Sequence, residues 1–542
     1  MSETVVYSAR KILTMDPNRP EATHVAVRGG WILAVGGADC ADAWGGEIRH
    51  DDRYGEAVLL PGFVEGHAHL MAGAMWRFAY LGYHDRTDPE GRLWKGMRDI
   101  EAVMAGMKAA AERLPEGEPL VCWGFDPIFL PSERLHRRHM DAVTGDRPAM
   151  VMHSNFHLLT CNSAALALAG YDKGTNVEGV LMDEDGPTGE LQEMAAMFPV
   201  MRRLGADFRT LGRTDGALID YGKVCLREGV TTATDLFSTL TLAEAPRIKA
   251  VVEGADYPIR LVPALGGVGA PAEEIKETAL GLRKLSCDRL RLGAVKLMTD
   301  GSIQGFSARL KWPGHLEGQP NGIWNTAPEQ IFELCEVLHG AGVQMHVHVN
   351  GDEASEVTID AMEAAMRKAP WPDARHVLQH GQMIGVDQFR RMAALGLCAN
   401  LFANHIWHFG DQHAARTIGE DRASRMDACR AALDAGVTLA IHSDAPVTPM
   451  GPLTVAWCAV NRLTESGRVL GPAQRITVAE ALEAITLGAA RTLKLDAEIG
   501  SIECGKRADF AVLGEDPTAV APEALRDVPV LGTVQDGRHF AV

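Results

Sequence analysis

Six side chains able to hold a metal ion each stand at the end of an apolar run, in segments far apart in the chain. They are His67 and His69 in GHAHL, Lys296 in GAVKLM, His348 in QMHVHV, His380 in HVLQHG and Asp444 in AIHSDAP. Imidazole and carboxylate groups are the usual protein ligands of zinc and similar divalent ions. Together, and in this order, the segments predict a metal-dependent hydrolytic site at the mouth of a β/α barrel.

His67 and His69 are separated by one residue at the end of an extended run. A strand repeats every two residues, so both imidazoles lie on one face, which we expect to point toward the barrel axis. Two polar residues at a strand end, without a metal, are the alternative for such a pair. The apolar run and the PGFVEG segment that precede the histidines favour the metal site.

Lys296 lies inside the apolar segment AVKLM, where an unpaired ammonium group is costly to bury. One interpretation is a lysine whose stem packs in the strand while its charged end reaches water. The other is a lysine with a lowered pKa that reacts with CO2, since the resulting carbamate is a carboxylate that can bridge two metal ions. The residues alone leave both interpretations open.

His348 and His380 each end a strand-like run, and a hydrogen-bonded core histidine is the alternative for either one. His346 lies two residues before His348 on the same strand face, so either of these two can be the ligand. The segment HVNGD lets the chain turn directly after His348, and this favours His348.

Asp444 follows the last strand-like run. A carboxylate in this place can bind a metal ion and take a proton from metal-bound water, whose pKa falls to about 7 in a zinc site. The hydroxide would attack a carbonyl carbon, and the protonated Asp444 would then donate to the leaving nitrogen. An aspartate that caps the turn before Ala-Pro is the structural alternative.

Strand-like runs alternate with helix-like runs through the middle of the chain. The expected strands are LLPGFVEGHAHL, GVTTATDL, RLVPAL, LRLGAVKLM, VQMHVHV, HVLQHGQ, LCANLF and VTLAIHSDAP. Helix-like segments such as PEQIFELCEVLHGAG and MDACRAALDAG end in glycine just before the next strand, as helix C-caps do. Eight strands with intervening helices predict an α/β fold, a (β/α)8 TIM-type barrel over residues 61–494.

Two further regions stand outside the regular repeat. Residues 1–60 and 495–542 are rich in short β-type runs, which predicts a small β-sandwich built from both termini beside the barrel. About 160 residues separate His69 from GVTTATD, whereas one barrel unit needs about 30. We interpret residues 75–225 as an inserted cap or lid over the catalytic face, where long insertions after barrel strands lie.

Several residues near these segments are candidates for substrate contacts. They are Trp123, Asp126, His153 and His157 in the insertion, Asp300 and Ser302 after the Lys296 strand, His346 beside His348, and His405 after the seventh strand. An aromatic core anchor and a helix cap are the alternatives for those in the insertion, and Asp300 and Ser302 could instead orient ligands. Trp407 and Phe409 beside His405 suggest an apolar or aromatic substrate, which surface packing would explain equally well.

The composition argues against some classes of function and indicates a cellular compartment. The chain has 542 residues and a net charge of −18, which argues against nucleic-acid binding because that needs a basic surface. We see no signal peptide and no apolar run long enough to span a membrane. The ten cysteines are scattered without a CxxC pair, as in a reducing compartment, so we expect a cytoplasmic protein.

The whole set of motifs resembles the amidohydrolase superfamily. KLMTDGSIQGFSARL, HSNFHLLTCNSAAL, RHVLQHGQ and GSIECGKRADFAVL are similar to its amidohydrolase-3 branch, which includes N-substituted formamide deformylase-like proteins. The resemblance implies a metal-dependent hydrolase of amide or other C–N bonds, with the six residues named first as ligands and Lys296 as a carboxylated bridge. It implies one or two divalent ions, with zinc the first choice. His442 occupies a place where the broader superfamily often has a small residue, so we expect it to line the substrate pocket.

Three hypotheses of function follow. The first is hydrolysis of an N-substituted amide, formamide or related C–N bond in a small molecule. The second is ester or carbamate hydrolysis, or deamination, on the same scaffold. The third is a non-catalytic regulator, against which the intact ligand set, Asp444 included, is the main argument. A homodimer or larger assembly is compatible with the sequence.

Overall fold

The structure is a computed structural model that describes residues 3–130 and 134–542. The chain begins with four strands rich in valine and isoleucine: β1 Thr4–Leu13, β2 Glu21–Arg28, β3 Trp31–Gly36 and β4 Ile48–Pro61. Strand β1 pairs antiparallel with β2 and parallel with β4. These strands are the first part of a sheet that the C-terminal residues complete.

A long insertion follows β5 Phe63–Glu65 and has a sheet of its own. Its elements are α1 Met71–Ala74, β6 Ala79–Tyr80, β7 Arg86–Thr87, β8 Leu93–Trp94, α2 Ile100–Ala111, β9 Leu120–Phe125, α3 Arg137–Thr144, β10 Ala149–His153, β11 Leu158–Cys161, α4 Ser163–Ala169, β12 Val180–Asp183, β13 Gly186–Gln192, α5 Glu193–Arg203, α6 Phe208–Gly212 and α7 Asp215–Arg227. Six of the strands form a mixed sheet in the order β12-β13-β11-β10-β9-β6, and β7 pairs with β8. The sequence indicated helical pieces in this region but not this sheet.

The central sheet contains eight parallel strands, of which β5 is the first. The others are β14 Val230–Ser238, β15 Arg260–Gly266, β16 Ala294–Met298, β17 Met345–Val349, β18 Val377–His380, β19 Cys398–Leu401 and β20 Thr438–Ile441. Each of them coincides with one of the eight runs that the sequence predicted, although β14 and β15 extend beyond their runs by two residues and one residue. They are almost entirely buried, which is typical of a parallel sheet covered by helices.

Helices connect these strands and continue after the last one. They are α8 Ala245–Val252, α9 Ala272–Arg283, α10 Pro328–Gly340, α11 Asp352–Lys368, α12 Val386–Ala394, α13 Asn404–Gln412, α14 Glu420–Ala423, α15 Cys429–Asp434, α16 Pro452–Asn461, α17 Val478–Ala484 and α18 Leu487–Thr492. Gly342, Gly396 and Gly436 follow α10, α12 and α15 with φ of 66°, 65° and 81°. Glycine adopts this left-handed conformation without steric cost, so each helix can end just before a strand. Among the described residues, no helix is long and apolar enough to cross a bilayer.

The first and last strands of the central sheet meet beyond their carboxyl ends. The Asp444 amide donates to the His67 carbonyl at 3.0 Å, and the His69 amide donates to the Ala445 carbonyl at 2.9 Å. The central sheet is therefore that of a TIM-type α/β barrel, as predicted. These two hydrogen bonds also fix His67, His69 and Asp444 relative to one another through the backbone.

The chain returns to the terminal sheet with β21 Phe510–Leu513, β22 Val530–Gln535 and β23 Arg538–Ala541. The seven strands of this sheet run in the order β23-β22-β21-β4-β1-β2-β3, and β21 pairs antiparallel with β4. Both termini therefore contribute to it. The described strands form one hydrogen-bonded sheet rather than two, so the expected β-sandwich is not confirmed.

A buried ion pair joins the barrel to the segment that leads into β21. Arg260 donates to Asp509 Oδ2 at 2.7 Å, and both side chains are almost fully buried. Substituting Asp509→Ala leaves the Arg260 charge buried without its partner, and we expect unfolding to become easier by about 3–5 kcal/mol. The urea midpoint of unfolding measures this.

A matched variant of an exposed ion pair separates the loss of a buried partner from the general loss of a negative charge. Asp288 pairs with Arg507 at 2.9 Å, but the Asp288 side chain is 68% exposed. Exposed pairs contribute about 0–1 kcal/mol, so Asp288→Ala should move the midpoint little. An equal shift for the two variants would contradict the structural role given to Asp509.

Candidate metal centre

Imidazole and carboxylate groups converge at the carboxyl end of the central sheet. His67 and His69 follow β5, His380 is the last residue of β18, and Asp444 follows β20. Asp444 Oδ1 lies 3.1 Å from His69 Nε2 and 3.5 Å from His67 Nε2, and Asp444 Oδ2 lies 3.7 Å from His380 Nδ1. Since the carboxyl ends of parallel barrel strands meet on one face, the sequence order of these residues translates into one cluster.

Asp444 Oδ1 is buried and has no hydrogen-bond partner among the residues that the structure describes. Buried polar atoms in proteins are almost always paired, so such an atom calls for an explanation. His67, His69 and Asp444 also form a group whose ligand atoms all lie within 4.8 Å of one another. A divalent cation between them would pair the carboxylate oxygen and the imidazole nitrogens at once, so the residues present fit a metal ion.

Lys296 is 2% exposed, and its Nζ lies 3.5 Å from His67 Nε2. Burial lowers the pKa of Lys296 to about 7, while the charge of Asp444 acts in the opposite direction. A large part of the amine is therefore neutral near pH 7. The neutral amine is the form that can react with CO2, so the chemistry of a carbamate is accessible here.

His348 and His346 occupy different surroundings although both belong to β17. His348 lines a small cavity next to His380 and Asp444. Its Nε2 lies 3.1 Å from the Gly301 carbonyl oxygen. His346 instead accepts a hydrogen bond at Nδ1 from Gln379 Nε2 at 2.8 Å and does not line this cavity. The geometry therefore favours His348 over His346 as a ligand. Because His348 Nε2 faces the Gly301 carbonyl, Nδ1 is the nitrogen left for a metal ion.

Gln379 fixes the ring of His67. Its Oε1 accepts a hydrogen bond from His67 Nδ1 at 2.8 Å, so the proton is on Nδ1 and the lone pair on Nε2, the nitrogen nearest Asp444 and Lys296. A hydrogen bond to the second nitrogen is the usual way in which proteins orient a metal-binding histidine. Gln379 comes from β18, one residue before His380.

Glu65 ties the two ends of the central sheet together beneath the cluster. It accepts hydrogen bonds from the His67 amide at 3.2 Å and from Ser443 Oγ at 2.7 Å. Burial raises the pKa of Glu65 to about 8, while the hydrogen bonds from Ser443 and His67 act in the opposite direction. Glu65 therefore positions the segments that carry His67 and Asp444 and does not reach the cavity itself.

The insertion supplies one wall of the cavity through Asn155, Phe156, His157, Glu193 and Met194. His157 Nδ1 lies 2.9 Å from Glu193 Oε2, which also accepts from Asn325 Nδ2 at 3.0 Å. Burial lowers the pKa of His157, but the charge and hydrogen bond of Glu193 outweigh it, so the pKa is raised. The wall therefore presents a hydrogen-bonded imidazole–carboxylate pair to the cavity.

Backbone strain is concentrated around this cavity. His380, Asp444, Phe156, Glu193 and Phe237 line it and have φ between 53° and 75°. Residues other than glycine rarely adopt this left-handed conformation, which costs about 1–3 kcal/mol for each residue. Such residues are concentrated at functional sites. The strain supports this cavity as the functional site.

Comparison with known proteins agrees with the geometry. A sequence model described as Amidohydrolase family matches residues 55–540. The chain belongs to the amidohydrolase family. It is 28% identical to the N-substituted formamide deformylase of Arthrobacter pascens, over 99% of this chain and 98% of that protein.

Solved structures show the same fold. An uncharacterized metal-dependent hydrolase from Pyrococcus horikoshii matches this amidohydrolase with a TM-score of 0.70 at 20% identity, over 99% of this chain and all of that one. The zinc complex of an atrazine chlorohydrolase from Arthrobacter aurescens matches with a TM-score of 0.53 at 16% identity, over 99% of this chain and 95% of that one.

Several residues that the sequence singled out do not line this cavity of the amidohydrolase. Trp123 packs against Trp76 and Tyr80, His153 bonds Thr160 Oγ1, Ser302 Oγ accepts from the Gly305 amide, and His405 Nδ1 lies 3.2 Å from Asp427 Oδ1. His442 is buried against His67. Of the insertion residues predicted to contact substrate, His157 alone lines the cavity. For the others, substrate contact stays a prediction.

Two carboxylates among these residues shape the loops that do reach the site. Asp126 accepts from Ser154 Oγ at 3.1 Å and Asn155 Nδ2 at 3.3 Å, and burial raises the pKa of Asp126 to about 6. Asp300 accepts from the backbone amides of Arg309, Asn350 and Gly351 at 2.9–3.0 Å, and burial raises its pKa to about 7. Both therefore hold backbone next to the cavity.

The sequence interpretation missed Glu65, Gln379, Asn155 and Glu193. Glu65 carried a usable signal, because it lies two residues before His67 on the same face of a strand. Gln379 directly precedes His380, and nothing in its sequence context points to His67. Asn155 and Glu193 reach the site only through the fold of the insertion.

Proposed function

We propose that this protein is a metal-dependent hydrolase that cleaves an amide, an N-substituted formamide or a related C–N bond. The observation that carries the proposal is the unpaired, buried Asp444 Oδ1 with two imidazole nitrogens beside it. The likeness to an N-substituted formamide deformylase along nearly the whole chain supports the bond type. A small molecule is the expected partner.

His67, His69, Lys296, His348, His380 and Asp444 would hold one or two divalent ions, with zinc the first choice. A bound ion of this kind lowers the pKa of water to about 7 and polarises a carbonyl group. Asp444 would then take the proton of the attacking water and return it to the leaving nitrogen.

Lys296 is proposed to carry a carbamate. Its neutral nitrogen would attack CO2 with loss of one proton, which turns the side chain into a carboxylate on a long arm. The burial of Lys296 and its lowered pKa support this form over a free ammonium group, which is costly to bury beside the His67 imidazole.

The remaining cavity wall suits an apolar substituent on the substrate. Its apolar side chains are Met71, Phe156, Met194, Phe237, Met298 and Val447. Asn155, Arg209 and the His157–Glu193 pair are polar groups that line the same cavity. We infer that a carbonyl faces the metal while a hydrophobic N-substituent packs against the phenylalanines and methionines.

The first test is the metal content of purified protein, followed by a substrate panel. One or two zinc-like ions per chain, and turnover of N-substituted amides or formamides, are the expected results. Faster turnover of esters, carbamates or amino-heterocycles would move the proposal to the second hypothesis. If the protein contains no metal and gains no activity when zinc, manganese or cobalt is added, the third hypothesis, a non-catalytic regulator, would be favoured.

Gln379→Leu is expected to weaken metal binding by about 10–100-fold, the usual effect of losing a hydrogen bond behind a ligand. Leucine keeps the volume but leaves His67 Nδ1 without its acceptor, so the ring and its tautomer are no longer fixed. Competition with a chromophoric chelator measures the affinity.

Gln382→Leu is the matched control for this change. Gln382 is equally buried, follows the same strand, and its amide nitrogen lies 3.6 Å from Met426 Sδ. It has no contact with His67, so metal affinity should stay at the wild-type value. Equal losses in the two variants would show a general effect on the fold instead.

A further inference from the structure

Arg209 is a cation on the wall of the metal-binding cavity. It lies on α6, and its guanidinium covers the ring of Phe237, with Arg209 Cζ 4.4 Å from the ring centroid. Arg213 Nη1 donates to the Arg209 carbonyl at 3.2 Å. The same nitrogen donates to Thr239 Oγ1, which follows Phe237 by two residues. The helix that carries Arg209 is therefore tied to the segment that carries Phe237, so the guanidinium has a fixed place.

The Arg209 guanidinium has unused hydrogen-bonding capacity. A guanidinium carries five N–H groups. Among the described residues, the hydrogen bond of this group runs from Nη1 to the Met194 sulfur at 3.7 Å, and a thioether is a weak acceptor. The two carboxylates whose charges reach Arg209 are bonded elsewhere, because Asp207 caps α6 and Asp235 accepts from a backbone amide at 3.0 Å. Most of the donors of Arg209 are therefore left for a ligand.

Arg209 stays charged near pH 7. Burial lowers its pKa to about 10, while the charges of the same two carboxylates act in the opposite direction. A buried charge is costly unless a counter-charge or hydrogen bonds compensate for it. The carboxylates that line the cavity, Glu193 and Asp444, lie against His157 and the metal-binding histidines instead. Among the described residues, the cavity thus offers Arg209 no anion of its own.

We propose that Arg209 binds a carboxylate of the substrate, which makes the substrate an amide or formamide with an acidic group on its nitrogen substituent. The proposal rests on the hydrolase function put forward above and narrows its substrate class. A guanidinium binds a carboxylate through two parallel hydrogen bonds, so it defines orientation as well as charge. The apolar part of the substituent would pack against Phe156 and Met194 of the same cavity.

A series of compounds matched in shape tests the preference for an acid. It consists of N-formyl-glycine, racemic N-formyl-leucine and racemic N-formyl-phenylalanine, each paired with its carboxamide, which keeps the shape but lacks the charge. For zinc-loaded wild-type protein, we expect kcat/KM to favour at least one acid over its amide by about 10–100-fold, the effect of hydrogen bonds to a charged group. If no acid is favoured over its amide, the proposal is overturned.

Variants of Arg209 show whether this residue causes the preference. Arg209→Met removes the charge but keeps an unbranched side chain that can cover Phe237. We expect kcat/KM to fall about 10–100-fold more for the acid than for its amide. Arg209→Lys keeps the charge without the planar fork and should retain part of the preference. If the Arg209→Met protein keeps the wild-type ratio, the proposal is overturned, because the carboxylate then binds elsewhere, for example to the metal ion.

Arg202→Met is the matched control. Arg202 also covers a phenylalanine ring, with its Cζ 4.3 Å from the centroid of Phe198, but it is exposed on α5 and does not line the cavity. The ratio of acid to amide should therefore stay at the wild-type value. An equal loss of preference in the Arg202 and Arg209 variants would show a general effect of positive charge and overturn the specific role of Arg209.

Binding measurements distinguish this proposal from the function on which it rests. Isothermal titration calorimetry with the same pairs measures affinity without turnover. Suppose that an acid binds more tightly than its amide and depends on Arg209, while no amide is hydrolysed. The carboxylate site then stands and the hydrolase function is overturned. Turnover of neutral amides without any preference for an acid overturns the acidic substrate alone and leaves the hydrolase proposal standing.

Discussion

Asp444→Asn is expected to lower kcat/KM by at least about 10²–10⁴-fold, the range for loss of a general acid–base group. Asparagine keeps the shape of the side chain, and the backbone bond from residue 444 to the His67 carbonyl is unaffected. It removes both the negative charge beside His67 and His69 and the proton acceptor for the attacking water. Steady-state kinetics with the best substrate of the panel measure the loss of activity, and circular dichroism checks that the fold is unchanged.

Asp51→Asn is the matched control. Asp51 is also a buried carboxylate, but it lies in the terminal sheet and pairs with Arg53 at 2.7 Å. Its replacement removes a charge of the same kind far from the cavity, so turnover should stay near the wild-type rate. An active preparation of Asp444→Asn with full turnover would contradict the proton transfer assigned to Asp444.

Lys296→Met is expected to reduce both turnover and metal content. Methionine fits the apolar surroundings of β16, so the fold should persist, but no carbamate can form on it. Since a ligand itself is lost, we expect metal affinity to fall by more than about 100-fold, beyond the effect of losing an outer hydrogen bond. Metal analysis and kinetics on one preparation measure both losses.

Lys506→Met serves as the control because Lys506 is also largely buried, but it bonds Glu503 in the C-terminal region. It should leave metal content and turnover unchanged. Were Lys296→Met to retain the wild-type number of ions per chain and the wild-type rate, the carbamate would be ruled out. Intact mass spectrometry under CO2-saturated, non-denaturing conditions adds a direct readout. The wild-type chain should gain about 44 Da, the mass of one CO2, and the Lys296→Met chain should gain nothing.

The barrel was predictable because its signals are local. Runs such as VQMHVHV and VTLAIHSDAP are short, apolar and followed by turns, and Gly342 and Gly436 mark the helix ends before them. Once eight such strands are parallel, their carboxyl ends must share one face. The convergence of His67, His69, His380 and Asp444 follows from that topology without any knowledge of side-chain contacts.

The supporting contacts were not predictable in the same way. Gln379 and Asn400 act on histidines 312 and 42 residues away in the chain, through hydrogen bonds that depend on neighbouring strands and their register. Trp123 and His153 carried the residue types expected of a site but face the core of the insertion. Residue type indicates chemistry, whereas only the fold decides which side of a strand meets the cavity.

The pairing of β4 with β21 has a consequence for how the chain is made. These two strands lie near opposite ends of the sequence. During synthesis, β4 therefore emerges from the ribosome more than 400 residues before its partner β21. Throughout that interval the β4 edge is open, and an open edge is a template for pairing with another chain. We expect nascent chains to be most prone to aggregation until β21 emerges, and protection of this edge to be what a chaperone would provide during synthesis.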